Sequence, residues 1–272
     1  MEGLQERLGR LAIIGGGQMG EAIVSGLVHG ALFNAAEIQV IEPVAEQRQN
    51  LEERYGIECS ADVSELDNPQ SILMAVKPQI FREVAASLAA LPSIAPERVI
   101  SIAAGVPTTL ICEYFPDIAV IRVMPNIALK VSAGMSVVAN AAGTPLREAE
   151  LVAELFGLMG EATVIDEAQI NAATAISGSG PAYFALVVEH LAACGIAAGL
   201  SEELAWQLAR QTVIGTGRYL ELLDVTPAQL RQAVTSPKGT TEAALEAFAA
   251  GGLEQSIQQG FAACVRRAEE LA

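Results

Sequence analysis

The chain predicts an α/β fold: an N-terminal doubly wound parallel sheet followed by an all-α C-terminal domain. Three observations predict it. Short apolar runs alternate with segments of helical period through roughly the first 165 residues. A glycine turn joins the first apolar run to the first helical segment. From Asp166 onward helical periodicity broken by glycines continues without a convincing strand. At 272 residues and 51% hydrophobic content the chain can bury two cores, and we expect a boundary there, with domains 1–165 and 166–272.

Leu11, Ala12, Ile13 and Ile14 read as a buried strand, residues 19–30 as a helix and 38–41 as a second strand, which makes one βαβ unit. A helix over 45–55 follows. Further strands are expected near 72–76, 99–102 and 119–123, with helical stretches between most of them, and a last strand at 163–165. In the helical half, Ile257, Phe261 and Val265 are spaced to share one helix face, which packs either in the core or against a partner subunit.

Sixteen basic residues against 32 acidic give a net charge of −16, and the basic residues are scattered. This disfavours a nucleic-acid surface or an anionic membrane as partner. The first ten residues carry charges of both signs and lack the apolar stretch of a signal peptide, so a cytoplasmic protein is expected. Cys59, Cys112, Cys194 and Cys264 lie far apart without C-x-x-C spacing and signal neither a zinc site nor a disulfide framework. No metal is expected.

Gly15, Gly16, Gly17, Gln18, Met19 and Gly20 fit G-x-G-x-x-G between the first strand and the first helix, the context in which that fingerprint has a mechanism. Gly15 permits the tight turn, Gly17 lets a pyrophosphate approach the backbone, and Gly20 lets helix and strand pack closely. The N-terminal domain is therefore of Rossmann type. Glu42 closes the second strand, where an acidic side chain commonly accepts hydrogen bonds from the adenosine ribose. By itself it favours NAD over NADP, because a 2′-phosphate is repelled unless Arg48 or nearby backbone N–H groups compensate.

Ala75, Val76, Lys77 and Pro78, and then Val123, Met124, Pro125 and Asn126, end strands on the side where such a sheet binds ligands. Lys77 can offer a charge to the cofactor, and Asn126 a hydrogen bond to it or to a water; turn stabilisation is the alternative for both. Ser177, Gly178, Ser179, Gly180, Pro181, Ala182 and Tyr183 interrupt or tighten a helical region with side chains too small to block a flat nicotinamide ring. The alternative is a plain helix–helix turn with Pro181 starting the next helix. Thr235, Ser236, Pro237, Lys238, Gly239, Thr240 and Thr241 run into a helix, where first-turn N–H groups and hydroxyls can surround a small anion.

In this order, G-G-G-Q-M-G, A-V-K-P, M-P-N, S-G-S-G-P-A-Y and V-T-S-P-K-G-T-T-E-A-A-L resemble the pyrroline-5-carboxylate reductase family across nearly the whole chain. The last segment is the most specific. The resemblance implies hydride transfer from a reduced nicotinamide to the imine carbon of 1-pyrroline-5-carboxylate and proton delivery to its nitrogen, giving L-proline. It implies NADPH as the usual cofactor, with NADH possible because of Glu42. On the family motif, Thr241 is the catalytic position that hydrogen-bonds the substrate nitrogen, while Ser236, Gly239 and Thr240 bind the carboxylate. Together with the residue readings above, it leads us to expect Gly15, Gly17, Gln18, Met19, Gly20, Glu42, Ala75, Lys77, Pro78, Asn126, Ser179 and Gly180 around the cofactor. Lys238 departs from the pattern, since relatives usually carry glycine or another small residue there.

The resemblance also implies a homodimer or higher homo-oligomer through the helical half. The abundance of apolar and alanine positions after Asp166, beyond what a domain of about 100 residues buries alone, permits it.

Two alternatives are weighed. β-Hydroxyacid dehydrogenases are similar around the glycine fingerprint, but they need a catalytic lysine, and Lys77, Lys130 and Lys238 are the only lysines, none on a helix after Pro181. His29 and His190, the only histidines, are poorly placed to replace it. A non-catalytic dinucleotide-binding sensor is disfavoured by the intact hydroxyl-rich turn.

Overall fold

The computed structural model describes residues 2–30 and 33–271. They form two compact units, one built from residues up to Ser179 together with those from Val265, the other from Gly180–Cys264. The expected division, by contrast, falls between residues 165 and 166.

The first unit is an eight-stranded sheet: β1 Leu11–Ile14, β2 Ile38–Ile41, β3 Glu58–Ser60, β4 Ser71–Met74, β5 Arg98–Ser101, β6 Ala119–Met124, β7 Gly134–Asn140 and β8 Gly160–Val164. Their order across the sheet is β3-β2-β1-β4-β5-β6-β7-β8. Helices α1 Glu2–Leu8, α2 Gln18–His29, α3 Ala45–Tyr55, α4 Phe81–Ala89, α5 Thr108–Tyr114, α6 Leu146–Gly157 and α7 Ile170–Ala173 belong to this unit. The side chain of His29 lies outside the described residues.

β1, β2, β4 and β5 are buried at every position, which is why they read as mostly apolar runs, with Gln39, Ser71, Arg98 and Ser101 the buried polar exceptions. Alternate side chains feed two cores. Leu11, Ile13, Val40 and Leu73 join α2 and α6 on one face, and Ala12, Ile14, Ile72 and Met74 join α4 and α5 on the other. β1 runs parallel to both β2 and β4, so the chain reverses its direction of sheet growth beside β1. A cleft opens there at the carboxyl ends of the strands.

The sheet is not parallel throughout, as the sequence had suggested. β7 pairs antiparallel with β6 through Met124↔Val137 and Ile121↔Asn140. A single 3₁₀ turn, Ile127–Val131, followed by Ser132 in the left-handed region, connects the two strands. That is too short for a parallel crossover. β3 and β7 were absent from the sequence reading, as was α1, which buries Leu4 and Leu8.

After α7 the helical region is widened rather than tightened: Thr174–Gly178 forms a π turn, closed by the Ser179 N–H donating to the Thr174 carbonyl at 2.9 Å.

The second unit is helical: α8 Gly180–Ala197, α9 Glu202–Leu222, α10 Pro227–Ala233, α11 Thr240–Ala250 and α12 Leu253–Leu271, whose last residues count with the first unit. Its own core is thin, Ala192, Ala205 and Ala209 packed with Val188. Phe184, Leu191, Leu208, Phe248 and Ile257 remain exposed. Ile257 and Phe261, at 63% and 36% exposure, are therefore not core residues of this chain. Among the described residues, Glu167–Ala197 is one helical run long and apolar enough to cross a membrane by length and composition, and only 11% of its most apolar window is buried.

Candidate functional site

The glycine turn is built as the fingerprint requires. Gly15 has φ +106°, a value that disfavours any side chain, and a Cβ there would stand 2.8 Å from the Ala75 carbonyl oxygen. A Cβ on Gly20 would lie 2.0 Å from the Gly15 carbonyl oxygen, so helix and turn can approach only without one. At Gly17 a Cβ would meet nothing within 4 Å. That open space, at the N-terminus of α2, leaves the backbone as approachable as a phosphate would require.

Two side chains clamp the turn. Glu42 accepts the Gly16 N–H at 2.9 Å, and Gln47, on α3, donates to the Gly16 carbonyl at 2.7 Å. Glu42 is buried, and its second oxygen accepts the Val44 N–H at 2.9 Å. Its carboxylate is thus held in one orientation beside the turn.

Two cavities of the first unit share Gly17, Ala75, Val76 and Lys77. One, about 640 Å³, extends past Gly15 to Glu42 and Asp62. The Ser64 hydroxyl and backbone N–H hold the Asp62 carboxyl below its usual pKa. The other, about 520 Å³, runs past Gln18, Met19 and Pro78 to Asn126 and Gly178. Together they offer an elongated site with a phosphate cradle at its middle, which suits a dinucleotide. The donors present fit the group: open glycine backbone, a helix N-terminus and one lysine.

Of the expected cofactor residues, Gly15, Gly17, Gln18, Met19, Glu42, Ala75, Lys77, Pro78 and Asn126 line one cavity or both. Gly20 supports the turn from behind. Gly178 lines the second cavity, whereas Ser179 and Gly180 are not among its lining residues. Asn126 is largely occupied: its oxygen accepts from the Ala128 and Met135 N–H groups at 3.2 and 3.3 Å, and its amide donates to the Ser177 carbonyl at 3.0 Å. Its turn-stabilising bonds are in place, and it also lines the second cavity.

Ala103 and Ala104, which follow β5, line the second cavity and were missed. The signal available was a run of small residues directly after an apolar strand, at the same sheet edge as the other strand ends. Gln47 was missed because nothing in a helical sequence marks which polar side chain reaches back to a turn.

In the second unit, Gly239 caps α11 with no side-chain hydrogen bond to the first turn. The Gly239 N–H donates to the Ser236 carbonyl at 2.9 Å, and a Cβ on Gly239 would fall 2.3 Å from the Ser236 Oγ. The serine hydroxyl therefore sits directly beside the cap. Thr241 is half-buried, Thr240 and Ser236 exposed. Lys238 has φ +59°, its N–H donates to Glu242 at 2.6 Å, and its side chain is exposed. This position is in the left-handed region, where glycine carries no steric cost and lysine does.

Residues 167–271 match the family model for pyrroline-5-carboxylate reductase dimerisation, and residues 10–105 match that for NADP oxidoreductase, coenzyme F420-dependent. A pyrroline-5-carboxylate reductase of Synechocystis is 40% identical over 96% of this chain and 98% of its own length. One from Pseudomonas aeruginosa is 36% identical over 97% of both. Among solved structures, a pyrroline-5-carboxylate reductase of Coxiella burnetii superposes with a TM-score of 0.89 at 32% identity, over 97% of this chain and 99% of that one. A Plasmodium falciparum pyrroline carboxylate reductase with NADP bound gives 0.85 at 25% identity, over 97% and 98%.

Proposed function

The chain belongs to the pyrroline-5-carboxylate reductase family and carries out NAD(P)H-dependent reduction of 1-pyrroline-5-carboxylate to L-proline, and we propose that Thr241 and the turn before it handle the substrate. The observation that carries this reading is the uncapped α11 N-terminus, where Ser236, Gly239, Thr240 and Thr241 gather hydroxyls and backbone N–H groups.

The carboxylate of the substrate binds the free N–H groups of Thr240 and Thr241 and the Ser236 hydroxyl. The positive end of the helix dipole adds about 0.3–1 kcal/mol, more where water is excluded. With the carboxylate so anchored, the Thr241 hydroxyl is directed at the ring nitrogen. A threonine hydroxyl is too weak an acid to titrate near neutrality, so it orients the nitrogen and passes on a proton from water. A cyclic imine is already electrophilic; it requires neither a strong base nor a nucleophile, which agrees with a site built from hydroxyls and amides.

Reduced nicotinamide, when bound, supplies the hydride for the imine carbon. Gly15, Gly17, Gln18, Met19 and Gly20 hold and orient the dinucleotide phosphates. Glu42, Ala75, Lys77, Pro78, Asn126, Ser179 and Gly180 complete its surroundings, and most of the rate comes from holding the two reacting carbons together.

Residues 1–165 serve as the dinucleotide-binding domain and 166–272 as the substrate-binding and dimerisation domain. A second copy of the chain covers the apolar faces of α8, α9 and α12, giving a cytoplasmic homodimer or larger homo-oligomer. The match of residues 167–271 to a dimerisation family supports a second copy over lipid as the cover for α8.

Incubating the protein with reduced cofactor and 1-pyrroline-5-carboxylate tests the reaction, with L-proline identified by chiral chromatography. No cofactor oxidation would overturn the reading. Light scattering tests assembly; a monomer at micromolar concentration would reject it.

A further inference from the structure

We infer that this chain prefers NADH to NADPH and that Glu42 sets the preference; the inference rests on the cofactor reading above. Glu42 lies at the end of β2, is 8% exposed and lines the cavity beside Gly15 and Gly17. One carboxylate oxygen accepts from Gly16 and the other from Val44, both at 2.9 Å, so swinging aside for an incoming anion would break both bonds. What remains on each oxygen is acceptor capacity only. Ribose hydroxyls can donate to it, whereas a 2′-phosphate brings more acceptors and more negative charge.

Of the donors nearest Glu42 in sequence, the Val44 N–H and the Arg48 Nη1 are engaged elsewhere. The Val44 N–H, the first backbone donor after Glu42, is taken by Glu42 itself, and Pro43 has none. Arg48, the nearest basic residue in sequence, turns its Nη1 to the Glu42 carbonyl at 2.7 Å and the Pro43 carbonyl at 2.9 Å. It is not among the residues lining the cavity.

The remaining charges add to the rejection. Asp62 and Glu83 line the same cavity, Glu46 stands in the first turn of α3, and Lys77 is the one basic residue among the described lining residues. Lys77 also lines the second cavity, on the other side of the Gly17 cradle. It belongs with the pyrophosphate and not with the ribose end.

Equilibrium binding of NADH and NADPH to the wild-type protein, measured by isothermal titration calorimetry, tests this without turnover. NADH is expected to bind at least about tenfold more tightly, since an unpaired like-charge contact alone is worth that much. ADP should likewise bind more tightly than 2′,5′-ADP. In Glu42→Gln, of similar shape but uncharged, the NADH:NADPH ratio should fall severalfold through tighter NADPH binding. Glu42→Ser, a smaller side chain, gives the same comparison without the amide. NADPH binding as tightly as NADH in the wild type would overturn the preference and leave the cofactor reading intact. A ratio unmoved in both variants would overturn the assignment to Glu42, and binding of neither nucleotide would overturn the cofactor reading and the preference with it.

Discussion

The side-chain amide of Asn126 donates to the Ser177 carbonyl at 3.0 Å, and it does so where Pro181 has no N–H to offer. In a regular α-helix the carbonyl of residue 177 would accept from residue 181. The π turn Thr174–Gly178 accommodates the proline, and an asparagine at the end of β6 satisfies the carbonyl left over. The strand-end M-P-N and the S-G-S-G-P segment are thereby joined at the edge of one cavity.

Replacing Asn126 with Ala removes that bond and both acceptor bonds to the backbone N–H groups of Ala128 and Met135. Urea unfolding should show a loss of about 1–3 kcal/mol, the range for part-buried polar groups left without partners. Cofactor affinity should fall in parallel, because Gly178 loses its support. Unchanged affinity would assign Asn126 to turn stabilisation alone.

Gly17→Ala and Gly20→Ala should separate binding from folding. A methyl on Gly17 meets nothing within 4 Å and projects into the phosphate cradle, so the melting temperature should hold while NADH affinity drops. A methyl on Gly20 would sit 2.0 Å from the Gly15 carbonyl oxygen, so both stability and affinity should fall. Thermal melts with and without NADH distinguish them.

Lys238→Gly should stabilise the protein by about 0.5–1 kcal/mol, since a left-handed φ of +59° costs lysine more than the added chain entropy costs glycine. The catalytic efficiency kcat/KM should stay within about threefold, because the side chain is exposed. A large loss would instead give the lysine charge a part in drawing in the substrate carboxylate.

Burial raises the Cys59 thiol to about 12, with the Glu52 carboxylate contributing. A raised thiol pKa means that the unreactive protonated form persists to higher pH. Alkylation of Cys59 by iodoacetamide, followed by peptide mass spectrometry, should be at least about a hundredfold slower in the native protein than in urea at pH 8. It should rise about tenfold per pH unit to pH 10, where an ordinary thiol near 8.5 has levelled off. A plateau near pH 9 in the native protein would contradict this.

The parts that chemistry marks locally were legible in the sequence. β1, β2, β4 and β5 announced themselves because strands buried on both faces are mostly apolar. The steric requirements at Gly15 and Gly20 followed from backbone geometry alone. β7 was missed because its direction depends on the short connection after Asn126, and its sequence, G-M-S-V-V-A-N, carries only a brief apolar stretch. The two clamps on Gly16 and the capture of the Ser177 carbonyl depend on side chains 26, 31 and 51 residues away, and no local pattern encodes those.

If the Thr241 hydroxyl acts on the substrate nitrogen as proposed, the kcat of Thr241→Ala and Thr241→Ser with 1-pyrroline-5-carboxylate will show it. Loss of one hydrogen bond that strengthens toward the transition state should lower kcat about 10- to 100-fold in the alanine variant, with cofactor affinity unchanged and the serine variant largely active. A kcat in the alanine variant equal to that of the wild type would contradict it.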